Sequence, residues 1–438
     1  MRQKMYQADV TARVGKLPMA ACALLSMGAT TAFAGNGLNL IGYGTESVAM
    51  GGADVALAGD TSSLNSNPAG LARIRGKALD VYGAIAYGMD VGHADSFGND
   101  RNVDHRWIYL TGGGYARAVG DACTVGIGVF GQGGAGVVYD ELITAFGTRD
   151  ELSSSFRIAK FAPGGACRLN DKLAIGGSVG ITYADIRQKV FFKTSVLNPL
   201  TPSSAFFGYE ITDASSLEAG VRVGVQYDIA PGTTLGATFS PQLDLPLTDG
   251  ELVSNQNAIG LGRVTYEDLR LDGLALPREV GLGVAFHPVK PVLVSIKLAW
   301  LDWSSALNTS TLTATRPDNP AASSEIRATS TLGWDDQWVI AIGGAYELDA
   351  RTILRAGYNY GRDPIPAANT SPLLSAIGEH HVTLGFVHAR GANSEISAAF
   401  EYQFAADVTY TNPTLPFGPN ARERANFPAL HVQWSKRW

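Results

Sequence analysis

At 438 residues the chain could hold two or three ordinary domains, but large β-barrels routinely exceed that length as one unit, so composition has to decide. Charged residues make up only 17%, hydrophobic residues an ordinary 45%, and glycine is abundant at 51 copies. Past the N-terminal region no apolar run reaches the ~18 residues of a membrane-spanning helix, so helical spans are excluded, while a low-charge, glycine-rich chain suits a transmembrane β-barrel. The net charge of −6 argues against nucleic acid or an anionic membrane surface as partner.

The N-terminus sets the compartment. Arg2, Lys4, Arg13 and Lys16 form a basic region, residues 17–30 a short apolar one, and Ala32-Phe33-Ala34 a small-x-small cleavage site. Residues 1–34 therefore read as a signal peptide, with Met5 an alternative start and a mature chain from Gly35. Cys22 follows Met19-Ala20-Ala21 in a faint lipoprotein box, but at the wrong end of the apolar region. Cys123 and Cys167 remain; an oxidising compartment permits a disulfide, but both lie in predicted strands and spacing does not show their Cα atoms to be close, so they are read as two buried or lipid-facing thiols.

Residues 35–75 are small and polar, and read as a plug enclosed by the strands C-terminal to it. Within them Asn67-Pro68 is a turn-initiating pair, and Ala69-Gly70 supply small residues where backbone lies close against a wall.

From Lys77 onward the period is two. Leu217, Ala219, Val221, Val223, Val225 and Tyr227 alternate with Glu218, Gly220, Arg222, Gly224, Gln226 and Asp228. The apolar parity would face lipid and the polar parity the lumen. Strands fall near 77–91, 106–118, 122–132, 153–168, 172–189, 215–229, 233–246, 276–287, 291–303, 336–348, 351–361, 379–389, 394–411 and 427–438. That makes an all-β fold, an antiparallel fourteen-stranded transmembrane barrel over 76–438 with a plug in its lumen. Tight turns such as Asn170-Asp171 and Asp349-Ala350 alternate with long loops at 133–152, 190–214, 247–275, 304–335 and 362–378. Aromatics near segment ends, among them Tyr82, Trp107, Trp303, Trp334, Trp338 and Trp438, read as two interfacial girdles.

Several motifs point nowhere. Gly176-Gly177-Ser178-Val179-Gly180 has the spacing of a hydrolase nucleophile elbow, and Gly126-Ile127-Gly128-Val129-Phe130-Gly131 that of a phosphate-binding loop, yet neither opens a helix. The seven histidines lack metal-ligand spacing and read as solvated loop or interface residues; no catalytic residue, metal or cofactor is expected.

The stretch 35–74, with its Gly-Ala run, an Asp and then Asn67-Pro68-Ala69, resembles the N-terminal hatch of the FadL/TodX outer-membrane transporter family. Landmarks come in order: Phe161-Ala162-Pro163, Leu276-Pro277-Arg278-Glu279-Val280-Gly281-Leu282-Gly283, and Leu354-Arg355-Ala356-Gly357-Tyr358 before Asp363-Pro364-Ile365-Pro366. Leu430, Val432, Trp434, Lys436 and Trp438 share a parity that resembles the C-terminal signal read by the barrel assembly machinery.

The resemblance implies a monomer in the outer membrane, surrounded by its lipid, that takes up a hydrophobic small molecule. The ligand would be caught at external loops, pass an apolar pocket and leave sideways through a wall opening beside a strand kink once the hatch, with Asn67, Pro68 and Ala69, shifts. Long-chain fatty acids are the first ligand class and aromatic hydrocarbons the second; a lipase-type enzyme and a general porin are the rivals. Arg222, Lys297, Arg351 and Arg355 fall on lumen-facing parity. They either pair with lumen carboxylates such as Glu218, Glu279 or Glu401, or one of Arg355, Arg222 and Lys297 serves as counter-ion for a fatty carboxylate.

Overall fold

A strand between lipid and a filled lumen needs alternation along its length and a paired neighbour on each edge. The computed structural model, which describes residues 35–197 and 205–438, meets the first need along its strands and the second in all but one sector of the wall. The segment read as a signal peptide lies outside the described residues.

The barrel has 14 antiparallel strands. In chain order these are β1 (Lys77–Tyr87), β2 (Trp107–Val119), β3 (Cys123–Ile143), β4 (Arg149–Arg168), β5 (Leu173–Val196), β6 (Phe206–Ala230) and β7 (Thr233–Ser240). The second half comprises β8 (Arg278–Val289), β9 (Val292–Asp302), β10 (Gln337–Glu347), β11 (Thr352–Gly361), β12 (His380–Ala389), β13 (Ser394–Tyr410) and β14 (Ala421–Arg437). Each strand pairs with the next, and β14 closes on β1 from Ala78 against Arg437 to Ala86 against Ala429. Closure leaves no free edge facing lipid at the seam. Alternation sorts the faces: Val221 and Val223, Ile296 and Leu298, and Leu354 and Tyr358 are exposed outward, while Arg222 and Lys297 between them are buried.

Four expectations need correction. The loops expected at 133–152 and 190–214 are largely strand, because β3 to β6 continue beyond the membrane, where water on the outer face makes both parities partly polar. The loops at 247–275 and 304–335 also carry strands. Leu247–Asn255 pairs with β6 and with Arg263–Asp272, which pairs with Thr309–Pro317, and that in turn with Glu325–Thr331. Trp303 and Trp334 are not girdle residues: they are buried inside the barrel, with ring centroids 5.3 Å apart. Finally, Cys123 and Cys167 form a disulfide, because the β3–β4 register sets them directly opposite with Cα atoms 4.1 Å apart.

Residues 35–76 lie within the barrel as one short helix, α1 (Gly44–Ala49), two 3₁₀ turns (Thr61–Leu64 and Pro68–Arg73) and irregular backbone. Irregular backbone has carbonyls that no ladder satisfies. The lumen-facing polar side chains supply the donors. Ser178 donates to the Leu64 carbonyl at 2.7 Å, Ser295 to Ala53 at 2.7 Å, Asn359 to Gly51 at 2.9 Å, Thr383 to Ala49 at 3.1 Å and Gln226 to Ala58 at 3.0 Å.

Candidate functional site

Asn67 caps the turn Pro68–Arg73. Its Oδ1 accepts from the Ala69 N–H at 3.1 Å, and its Nδ2 donates to the carbonyls of Val55 at 2.7 Å and Val225 at 3.1 Å. The amide therefore ties the turn both to the hatch and to β6. Pro68 occupies the first turn, where its missing N–H costs nothing. The wall is thin where this turn touches it: a Cβ on Gly176 would lie 2.4 Å from the Pro68 carbonyl carbon, and one on Gly224 would lie 2.0 Å from Asn67 Oδ1.

The three cations singled out in the sequence each carry a carboxylate, whereas Lys160 reaches the hatch through Asn65 Oδ1 at 3.0 Å. Arg355 Nη2 lies 2.7 Å from Glu46 of α1, Lys297 Nζ 3.3 Å from Asp54, and Arg222 Nη2 2.6 Å from Glu279 of β8. Arg222 Nη1 also donates to the Ser66 carbonyl at 3.2 Å. Strand parity points to the Glu279 pairing but not to Glu46 and Asp54, because nothing in the hatch sequence marks its acids as partners. Arg351 is exposed in a turn instead of facing the lumen. Glu218 makes none of these pairs, and Glu401 is held by two histidines, His381 at 2.9 Å and His431 at 3.0 Å.

The histidine expectation also needs correction. His93 is fully buried in the short hairpin of Gly92–Ala94 and Asp100–Asn102 outside the membrane, between Glu423 at 2.6 Å and Asp95 at 3.2 Å. His381 is fully buried as well. Their carboxylate partners offset part of the cost of burial. Among the described residues no cluster of ligating side chains could hold a metal ion. Ser178 is engaged with the Leu64 carbonyl, not with a base.

The wall is interrupted in one sector. β2 and β3 pair from Gly112 against Phe130 to Val119 against Cys123. Beyond Gly112, Trp107 to Thr111 pair with β1, while β3 from Gly131 onward has β4 as its one neighbouring barrel strand among the described residues. The break coincides with a bulge, since the β3–β4 register shifts between Gly131 and Gly133. Gln132 is the extra residue and turns inward. Its backbone carbonyl accepts from Tyr43 Oη at 3.1 Å, its Nε2 donates to the same hydroxyl at 2.5 Å, and its Oε1 accepts from Asn65 at 2.9 Å. Behind the break sits the start of the hatch. Gly134 donates to the Leu38 carbonyl at 3.2 Å, Asn39 bridges Gly133, and Leu40 and Leu110 both pack against the cluster that contains Ile108.

On the side of the hatch facing the long loops lies an apolar cluster that includes Leu38, Phe156, Leu301, Trp303, Trp334 and Val339. Its members come from the hatch, the wall and the outer loops, so it connects the outer loops to the break.

A filled fourteen-stranded barrel with an interrupted wall defines a plugged outer-membrane channel, and the comparisons agree. The family model described as outer membrane protein transport protein (OMPP1/FadL/TodX) matches residues 24–430, and the chain belongs to that family. The fold is similar to the P. putida toluene transporter TodX, at 20% identity with a TM-score of 0.75, covering 91% of this chain and 99% of that one. It is similar to the Ralstonia pickettii toluene transporter TbuX at 19% identity, TM-score 0.70, with 91% and 99% covered. A Pseudomonas aeruginosa FadL homologue aligns at 16% identity, TM-score 0.70, with 92% and 99% covered. A search of curated proteins found no match. The protein is thus an outer-membrane transport protein.

Proposed function

We propose that the protein takes up hydrophobic small molecules passively, with no chemical step, and releases them sideways into the membrane. A ligand caught by the outer loops would enter the apolar cluster around Trp303 and Trp334 and leave between β2 and β3 when residues 36–43 withdraw. The observation that carries this reading is the unpaired sector beside the Gln132 bulge, with Leu38, Asn39 and Leu40 seated behind it. A sideways exit keeps an apolar ligand out of water, whereas a straight path would have to displace the polar hatch contacts.

Of the two ligand classes the resemblance implies, the pairing of Arg222, Lys297 and Arg355 favours uncharged molecules such as aromatic hydrocarbons. A long-chain fatty acid, the first class expected from the sequence, would travel as the neutral acid. The filled lumen argues against a general porin, and the Ser178 contact against a lipase. Assembly would use the outward face of β14, where Leu430, Val432, Trp434 and Trp438 are exposed, and the barrel would work as a monomer.

The test is a cross-link between Leu40→Cys and Leu110→Cys. Oxidation should stop uptake of a labelled aromatic hydrocarbon by whole cells and reduction restore it, with the unsubstituted protein carried through the same redox steps as control. Unchanged uptake in the cross-linked form rules out exit at this sector.

A further inference from the structure

Beside the apolar cluster lies a small cavity of about 40 Å³ between the first hatch residues and the wall. It is larger than the ~10–15 Å³ that a single water needs, and far too small for a whole hydrophobic molecule. Ala299, Leu301 and Val339 line it and also belong to the apolar cluster, so the cavity borders that cluster directly.

Three polar atoms around this cavity have no hydrogen-bond partner among the described residues: Oδ1 of Asn36, Oδ1 of Asn39 and Nε of Arg222. Asn36 is 5% exposed and Arg222 7%, so solvent does not satisfy them. Leaving buried polar atoms unpaired is costly, and such atoms mark a place where something is received. The surplus is one donor and two acceptors.

The charges around the cavity say what kind of group fits. Arg222 is matched by Glu279 and Lys297 by Asp54, so the two cations and two anions cancel. An incoming carboxylate would find no uncompensated positive charge among the lining residues and would face two carboxylates, while Lys160, behind the lining, donates to Asn65 at 3.0 Å. An ammonium would meet the converse. A hydroxyl suits the surplus, because its hydrogen can go to an asparagine oxygen while its lone pair accepts from Arg222 Nε.

We propose that this cavity binds the neutral hydroxyl end of an otherwise hydrophobic ligand, whose body lies in the adjoining apolar cluster. The inference rests on the uptake reading and narrows it: the favoured ligands are alcohols and phenols, held with the polar end toward the hatch. Water competes for the same atoms, so the gain from a hydroxyl is modest, roughly five- to tenfold in affinity for one net hydrogen bond.

The experiment compares benzyl alcohol with toluene, by equilibrium binding to the full-length barrel in amphipol after correction for partition into the amphiphile. The unsubstituted protein should prefer benzyl alcohol by about that factor. In Asn36→Leu and, separately, Asn39→Leu, the ratio should fall toward one; two variants are used so that misassembly of either, read from heat-modifiable mobility, leaves the other. An equal ratio in the unsubstituted protein and a folded variant, or no preference in the unsubstituted protein, overturns the subsite. Tight toluene binding without that preference would leave the uptake reading standing, whereas binding of neither compound would sink both.

Discussion

The carboxylate of Glu46 on α1 lies 2.7 Å from the guanidinium of Arg355 on β11, so the cation best placed to greet a fatty carboxylate is already bound to the hatch. The Arg355 side chain is 10% exposed and that of Glu46 39%. A pair half open to solvent should hold the hatch by roughly 1–2 kcal/mol, less than the ~3–5 kcal/mol lost on breaking a fully buried one. Arg355→Ala should therefore raise single-channel conductance in planar bilayers, and Glu46→Gln should do the same. Binding of a fatty acid, its methyl ester and an aromatic hydrocarbon should weaken alike in Arg355→Ala. Selective loss of the fatty acid would return Arg355 to the role of counter-ion.

Removing residues 36–72 deletes the acceptors that Ser178, Ser295, Asn359 and Thr383 satisfy, but leaves every strand pairing of the barrel in place. Water can hydrate those side chains in an open lumen. The deletion should thus yield an assembled barrel with raised conductance and lost uptake. If conductance and uptake both stay at the level of the intact protein, the hatch does not gate the path.

The disulfide closes a segment of 44 residues across two neighbouring strands. Chain-entropy arguments give an upper figure of roughly 4 kcal/mol for such a loop, less whatever order the denatured state retains. Cys123→Ser should lower the denaturation midpoint in guanidinium without changing conductance. An unaltered midpoint would mean that the β3–β4 ladder alone holds these strands.

Burial would by itself lower the His93 pKa, but hydrogen bonds to Asp95 and Glu423 outweigh it and hold the group up to about 9, above its ordinary 6.5. Asp95 is lowered, since its bonds to His93, Asn99 and Phe97 outweigh its own burial. A group whose folded pKa is raised stabilises in full below its unfolded value and loses that contribution as pH rises through the folded one. The hairpin Gly92–Ala94/Asp100–Asn102 should therefore be held most firmly below about pH 6.5 and loosen progressively as pH rises to about 9. Amide exchange of Val103, corrected for intrinsic rate, is the readout. His93→Gln should abolish the pH dependence, and flat protection across the window would show that the ion pairs do not hold the hairpin.

Alternation is written in each strand separately, so the fourteen walls and the inward direction of Arg222, Lys297 and Arg355 are legible in the chain. Parity carries more than these. Counted from Ile296 and Leu298, position 303 faces inward, although its place near a strand end gives Trp303 the look of a girdle residue. In β3 the inward set runs through Thr124 and Phe130 and then through Ala135, Val137 and Tyr139, a change of phase that marks the bulge at Gln132. What the chain does not carry is register between distant segments. The opposition of Cys123 and Cys167, the choice of Glu46 and Asp54 as partners, and the seating of Asn39 on Gly133 all arise from how separate pieces meet in space.

β6 runs from Phe206 to Ala230, 25 residues. At ~3.3 Å per residue and a tilt near 45°, such a strand rises roughly 55 Å, about twice the ~25 Å apolar band of an outer-membrane barrel. The surplus stands on the cell exterior like a chimney above a roof. On the proposed route, a dissolved compound would meet protein well above the apolar band.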